Sequence, residues 1–209
     1  MIPKIIHQIW IGDKKIPDHC QEYIKEIKRL NPEFKHFLWG NEVLEKYKND
    51  VFLKNYLKNP QFYKWAYISD RIRLLILKDI GGVYADVDVK PIKGFNFIFN
   101  KLNKNTCFFG GVRREYLKNK KYEAIPPIIE PTVYGASINS RVINEILSIY
   151  TNINWAHGGL NISRKIMDVL AEDVILFNYK TFGYCEMHEI DENTVSLHDD
   201  TGGRLWSWK

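Results

Sequence analysis

Cysteine is scarce. Cys20, Cys107 and Cys185 are the three in 209 residues, far apart and without a CxxC pair. That usage fits neither a disulfide framework nor a cysteine zinc site, and it points to a reducing compartment. No run approaches the ~18–20 continuous apolar residues of a membrane-spanning helix. No charged-then-apolar leader with a cleavage site precedes the first strand-like segment. A cytoplasmic protein, soluble or peripherally attached to a membrane, is therefore expected. Internal repeats and low-complexity linkers are also missing, which leaves a single domain over 1–209 as the expected organisation. Charge of one sign is not in large excess: 30 Lys+Arg against 25 Asp+Glu give a net charge of +5, spread along the chain. A nucleic-acid binder carries a denser basic stripe, so no nucleic-acid partner is expected.

The residues present describe an ordinary globular chain, 45% apolar and 26% charged, so disordered and fibrous classes are out. One basic cluster stands out: Arg113, Arg114, Lys118, Lys120 and Lys121. It reads either as a solvated loop or as a dock for an anionic surface such as phospholipid head groups.

Lys4 to Ile11 is β-branched and apolar and predicts a buried opening strand. Asp18 is placed to cap a helix carrying Ile24, Ile27 and Leu30, which Asn31-Pro32 ends. Lys35 to Trp39 predicts a second strand. Asn41 to Leu57 is helical in pattern, with Asn49-Asp50 as an interruption. Pro60 opens a long helix whose apolar face carries Trp65, Ile68, Ile72, Leu75 and Ile76. Gly81-Gly82 ends it in a left-handed turn. Val83 to Val89 predicts a strand of alternating character. Further strands are expected at Thr106–Val112, Thr132–Ile138 and Val174–Tyr179, and helices at Ser140–Tyr150 and Ile162–Ala171. Alternating helices and strands argue an α/β layered domain with a mostly parallel central sheet.

Asp86 and Asp88 stand two apart in the predicted strand, where side chains share a face. Two carboxylates so placed can hold a divalent cation and the diphosphate it carries. An Asp-x-Asp alone is weak, since 12 Asp in this length give ~0.7 such pairs by chance. An edge strand with two solvated aspartates is the equally weighted structural alternative. Upstream, Asp70 and Arg73 share a helix face. They read as a surface ion pair, or as a carboxylate and a guanidinium offered to sugar hydroxyls.

The run Trp65-Ala66-Tyr67-Ile68-Ser69-Asp70-Arg71-Ile72-Arg73, then Gly81-Gly82-Val83-Tyr84-Ala85-Asp86-Val87-Asp88-Val89, resembles the signature of glycosyltransferases with a sugar-binding DXD region. The family 32 type, with yeast α-mannosyltransferases and capsular polysaccharide transferases, is the one it is most similar to. Ile2 to Gly12 resembles that family's first strand, and His198 through Trp206-Ser207-Trp208 resembles its C-terminal His…Ser-Trp element. The resemblance implies a GT-A fold, a Rossmann-like α/β/α sandwich. Residues from 1 to about 100 would bind a nucleotide-sugar with Mn²⁺ or Mg²⁺, and the rest would form an acceptor side and a closing tail. Carried over, Trp10 stacks on the donor base, Asp70 and Arg73 contact donor sugar hydroxyls, and Tyr84 packs beside the site. Asp86 binds ribose, sugar or metal, Asp88 ligates the metal, His198 is a further metal ligand, and Ser207 and Trp208 close over the diphosphate. Gly158-Gly159-Leu160 stands where the family has an acceptor-side Gly-Pro turn, but lacks the proline.

The implied activity is sugar transfer from a UDP- or GDP-sugar to a hydroxyl acceptor, such as a glycan, with retention of anomeric configuration. An inverting enzyme would need a general base, for which Glu130, Asp168 and Asp191 are candidates by type. A metal-dependent phosphohydrolase or nuclease, and a non-catalytic nucleotide-sugar or glycan-binding module, are the alternative readings.

Overall fold

β1 (Ile5–Ile9) is the strand from which the sheet grows. The chain, seen in a computed structural model, is described at residues 1–58, 64–102, 106–113, 128–129, 132–149, 172–178, 181–184 and 190–199. From β1 it runs through α1 (Asp18–Leu30) to β2 (Lys35–Trp39), which pairs in parallel with one edge of β1, Ile5 opposite Lys35 and Ile9 opposite Trp39. The helices α2 (Glu42–Lys46), α3 (Val51–Lys58) and α4 (Lys64–Ile80) follow, and lead to β3 (Gly82–Ala85) on the other edge of β1, also in parallel. Two parallel crossovers on a β-branched strand are the α/β logic that the alternating pattern predicts.

After β4 (Val89–Pro91) and the short α5 (Asn96–Phe99) come β5 (Cys107–Arg113), β6 (Ile128–Ile129), β7 (Val133–Ala136), α6 (Arg141–Ile149), β8 (Val174–Asn178), β9 (Phe182–Tyr184) and β10 (Ser196–His198). The main sheet has the order β2-β1-β3-β7-β5-β6, with β8 also on β5. β7 is antiparallel to both β3 and β5, β6 is antiparallel to β5, and β8 is parallel to it. Five strands therefore run one way and β6 and β7 the other, which makes the sheet mostly parallel. A second, three-stranded sheet has the order β4-β10-β9.

Strand alternation divides the apolar side chains between two layers. Ile9, Tyr84 and Phe109 face a core with Ile68, Ile72 and Ile76 of α4 and Val142, Ile143 and Ile146 of α6. Ile6, Val83 and Phe108 face the opposite core, with Ile27 of α1 and Ile98 of α5. The result is an α/β/α sandwich, and no described helix is long and apolar enough to cross a membrane.

Local details differ from the sequence expectation in two places. Asp18 does not cap α1: Pro17 holds the N-cap position with ψ 146°, and Asp18 is the first helical residue. There its carboxylate accepts from Gln21 Nε2 at 3.2 Å and favours the positive helix end. The helical segment over 41–57 is interrupted at Asn49-Asp50 as expected: α2 ends before it, and Asp50 starts α3 by accepting from Leu53 N at 3.0 Å. The strand expected over 83–89 stops at Ala85 and resumes at Val89, with a turn between. The expectations at Pro60 and 162–171 lie outside the described residues, as do Cys185, Arg114, Lys118, Lys120 and Lys121. Arg113 ends β5 rather than sitting in a loop.

Candidate functional site

The interruption of the 83–89 strand builds the site. Asp86 N still donates to Thr132 O at 2.9 Å, but Val89 N turns back to Asp86 O at 3.2 Å, which puts Val87 and Asp88 at the corner of a tight turn. Asp86 and Asp88 therefore converge around a turn and not along the pleat of one strand, which corrects the shared-face argument. The turn lies beyond the C-terminal end of β3, next to the C-terminal end of β1, where parallel α/β sheets hold their ligands. Gln8 of β1, fully buried, reaches across with Nε2 to Asp86 O at 3.3 Å, while its Oε1 sits 2.8 Å from His36 Nε2 of β2.

Tyr84 and Asp86 do share a face, the one turned to α4. Tyr84 Oη donates to Asp86 Oδ1 at 2.5 Å, and Arg73 Nη1 donates to the same oxygen at 3.4 Å. Arg73 also pairs with Asp70 on its own helix. Its guanidinium carbon lies 5.1 Å from the Tyr84 ring centroid and 5.9 Å from that of Tyr134. The predicted Asp70–Arg73 pair is thus no wet surface contact: the Arg73 and Asp70 side chains are only 8% and 13% exposed. Burial works against the Arg73 charge, and Asp70, Tyr134 and Asp86 more than offset it, holding the guanidinium protonated. Burial pushes the Asp86 carboxyl up to about 6, Arg73 opposes this, and the neighbouring Asp88 adds to it.

His198 arrives from the far end of the chain. β10 lies antiparallel to β4 with His198 opposite Val89, and Asp199 N donates to Asp88 O at 2.9 Å. His198 Nε2 comes within 3.4 Å of Asp88 Oδ1, a buried oxygen that has no hydrogen-bond donor among the described residues. Asp86, Asp88 and His198 each offer a ligand atom, all within 4.8 Å of one another. Two carboxylates and an imidazole are donors that suit Mn²⁺ or Mg²⁺ better than a thiophilic ion. The buried, undonated Asp88 oxygen is what such a cation would satisfy, so the residues fit it.

Trp10 lies just past β1, half-buried, and its Nε1 donates to Lys14 O at 2.6 Å. Ser207, Trp208 and Trp206 lie outside the described residues, as do Gly158-Gly159-Leu160 and two of the candidate bases, Glu130 and Asp168. The third, Asp191, closes its own turn by accepting from Asn193 N at 2.8 Å and Thr194 Oγ1 at 3.1 Å. Three participants went unread in the sequence. Tyr134 and Gln8 are single residues in strand patterns, and no local spacing marks them. Asp199 follows His198 directly, so its neighbour was the available signal.

Residues 17–109 match the model of a family described as a glycosyltransferase sugar-binding region containing a DXD motif. The uncharacterized glycosyltransferase L373 of Acanthamoeba polyphaga mimivirus is 37% identical over 123 residues, 54% of this chain and 49% of that protein. Inositol phosphoceramide mannosyltransferase 1 of Schizosaccharomyces pombe is 32% identical over 177 residues, 81% of this chain and 52% of that protein. The chain thus spans about half the length of these two curated relatives. Among solved structures, the PaToxG glycosyltransferase aligns with a TM-score of 0.55 at 23% identity, over 81% of this chain and 70% of that one. The galactosyltransferase LgtC, solved with donor and acceptor sugar analogs, aligns with a TM-score of 0.54 at 12% identity, over 93% and 86%. These two likenesses establish the fold, that of the GT-A glycosyltransferases.

Proposed function

We propose that this chain, which carries over residues 17–109 the sugar-binding region of the DXD-containing glycosyltransferases and has their GT-A fold, transfers a sugar from a nucleoside diphosphate sugar to a hydroxyl acceptor in a metal-dependent reaction. The observation that carries the reading is the convergence of Asp86, Asp88 and His198 within 4.8 Å at the C-terminal edge of the sheet. Asp88, Asp86 and His198 would hold Mn²⁺ or Mg²⁺, whose chemistry there is Lewis-acid neutralisation of a diphosphate leaving group. Arg73 keeps Asp86 in place and charged. Asp70, held by Arg73, offers its remaining lone pairs to donor sugar hydroxyls. Trp10, at the end of β1, is assigned the donor base, and Ser207 and Trp208 the closing of the tail over the diphosphate. A UDP- or GDP-sugar as donor, a glycan as acceptor and retention of configuration complete the proposal.

The test mixes protein, Mn²⁺ and a panel of nucleotide-sugars and follows nucleoside diphosphate release, with and without hydroxyl acceptors. Slow hydrolysis of one donor that disappears in Asp88→Ala is the expected result, with a loss of at least ~100-fold, as for removal of a group that stabilises developing charge. Binding of a donor without release, even with acceptors, would identify a binding module instead. Phosphoester turnover that needs no sugar donor would identify a phosphohydrolase.

A further inference from the structure

We infer that Asp199, gripped by Tyr23, is the positioning residue that sets His198 against the two aspartates, an inference that rests on the metal reading proposed above. Asp199 is anchored at both ends. Its backbone N–H donates to Asp88 O at 2.9 Å, and its Oδ2 accepts from Tyr23 Oη at 2.8 Å. Tyr23 belongs to α1, so one hydrogen bond closes a sequence separation of 176 residues. One turn earlier on the same helix, Cys20 is fully buried, and burial with the nearby charges of Asp88 and Asp199 pushes its thiol up to about 12. α1 is therefore a wall behind the aspartate turn, not a distant surface.

The need for such an anchor follows from the strand. β10 has three residues, paired with β4 on one side and β9 on the other, and His198 is its last. The end of so short a strand frays unless something beyond it is fixed. Tyr23 and the Asp88 carbonyl together fix the very next residue. Asp199 is not part of the three-residue cluster whose ligand atoms lie within 4.8 Å of one another, so its place is behind the ligands. Partners that orient metal ligands are worth about 10–100-fold in metal affinity.

The experiment measures Mn²⁺ affinity of the full chain by paramagnetic resonance of the free ion, beside melting of each metal-free variant. Tyr23→Phe removes only the hydroxyl. Asp199→Ala removes the acceptor, whereas Asp199→Asn keeps an acceptor oxygen for Tyr23 and loses the charge. The expectation is Mn²⁺ bound about tenfold more weakly by Tyr23→Phe and Asp199→Ala, with Asp199→Asn within about twofold of wild type. Wild-type affinity in Tyr23→Phe, whether or not its metal-free melting point falls, would overturn the latch, while loss of binding in Asp88→Ala left the metal reading standing. Equal losses in Asp199→Asn and Asp199→Ala would overturn it too, by showing that Asp199 acts through charge. Absence of Mn²⁺ binding in the wild type, or undiminished binding in Asp88→Ala, would defeat the metal reading itself and the latch with it.

Discussion

Arg73 answers to two carboxylates and two aromatic faces at once. A planar guanidinium can donate to Asp70 and Asp86 along different edges while lying over the rings of Tyr84 and Tyr134. An ammonium keeps the charge and loses the fork. Arg73→Lys is therefore expected to remain folded and to release nucleoside diphosphate about 30-fold more slowly, the worth of one hydrogen bond to a charged group. Arg73→Met leaves Asp70 and Asp86 buried without their cation and should lower unfolding free energy by about 3 kcal/mol or more. Steady-state donor turnover and urea unfolding separate the two effects, and wild-type turnover in the lysine variant would remove Arg73 from the working site. The pair Asp70–Arg73 was legible as helical spacing. Its burial was not, because Tyr84 and Tyr134 come from strands that the helix pattern does not mention.

At the scale of elements, the best-read segments are those whose own pattern decides them. Lys35–Trp39 is the same as strand and as expectation, and the strands at 107–113 and 133–136 fall inside or within a residue of theirs. The segment 83–89 was misread because a strand that ends in a tight turn and restarts leaves the same period-two pattern as one strand. What breaks it is tertiary: Thr132 O takes Asp86 N, and Asp86 O takes Val89 N. The Gly81-Gly82 reading survives in full, with φ of +68° and +109°. A Cβ on Gly82 would lie 2.6 Å from Ile5 O, in the strand that pairs with β3. Gly82→Ala should therefore cost about 2 kcal/mol from backbone conformation alone and more from that clash. Because Tyr84 rides on β3 and Asp86 follows directly at its end, Mn²⁺ affinity should fall together with urea stability. A variant with wild-type stability would show that β3 yields to the methyl group.

Across the whole molecule, chain order says little about neighbours. Layering was legible, since amphipathic helices and apolar strands alternate. The insertion of antiparallel β7 between β3 and β5, and the return of β10 to β4, were not, because pairing partners far apart in sequence leave no local mark. The same long-range packing buries His7 of β1 between β2 and β3, with Nε2 2.8 Å from Gly81 O and Nδ1 accepting from Trp39 Nε1 at 3.1 Å. Burial lowers its imidazole from 6.5 to about 4, so it stays neutral in the folded protein. The unfolded chain binds that proton first as pH falls, so stability is lost between pH 6.5 and 4, by about 3 kcal/mol in all. Asp86 runs the other way. Its carboxyl is raised from 3.8 to about 6, so the metal-free fold takes up the proton first and gains stability as pH falls through that window. The two contributions oppose each other over nearly the same range, so removing either group should change the slope of the urea midpoint with pH between 6.5 and 4 in opposite directions. Asp86→Asn should expose the histidine slope, with stability falling as the solution is acidified. His7→Gln should expose the aspartate slope, with stability rising. Matching pH profiles in the two variants would mean that neither buried group titrates as its surroundings require.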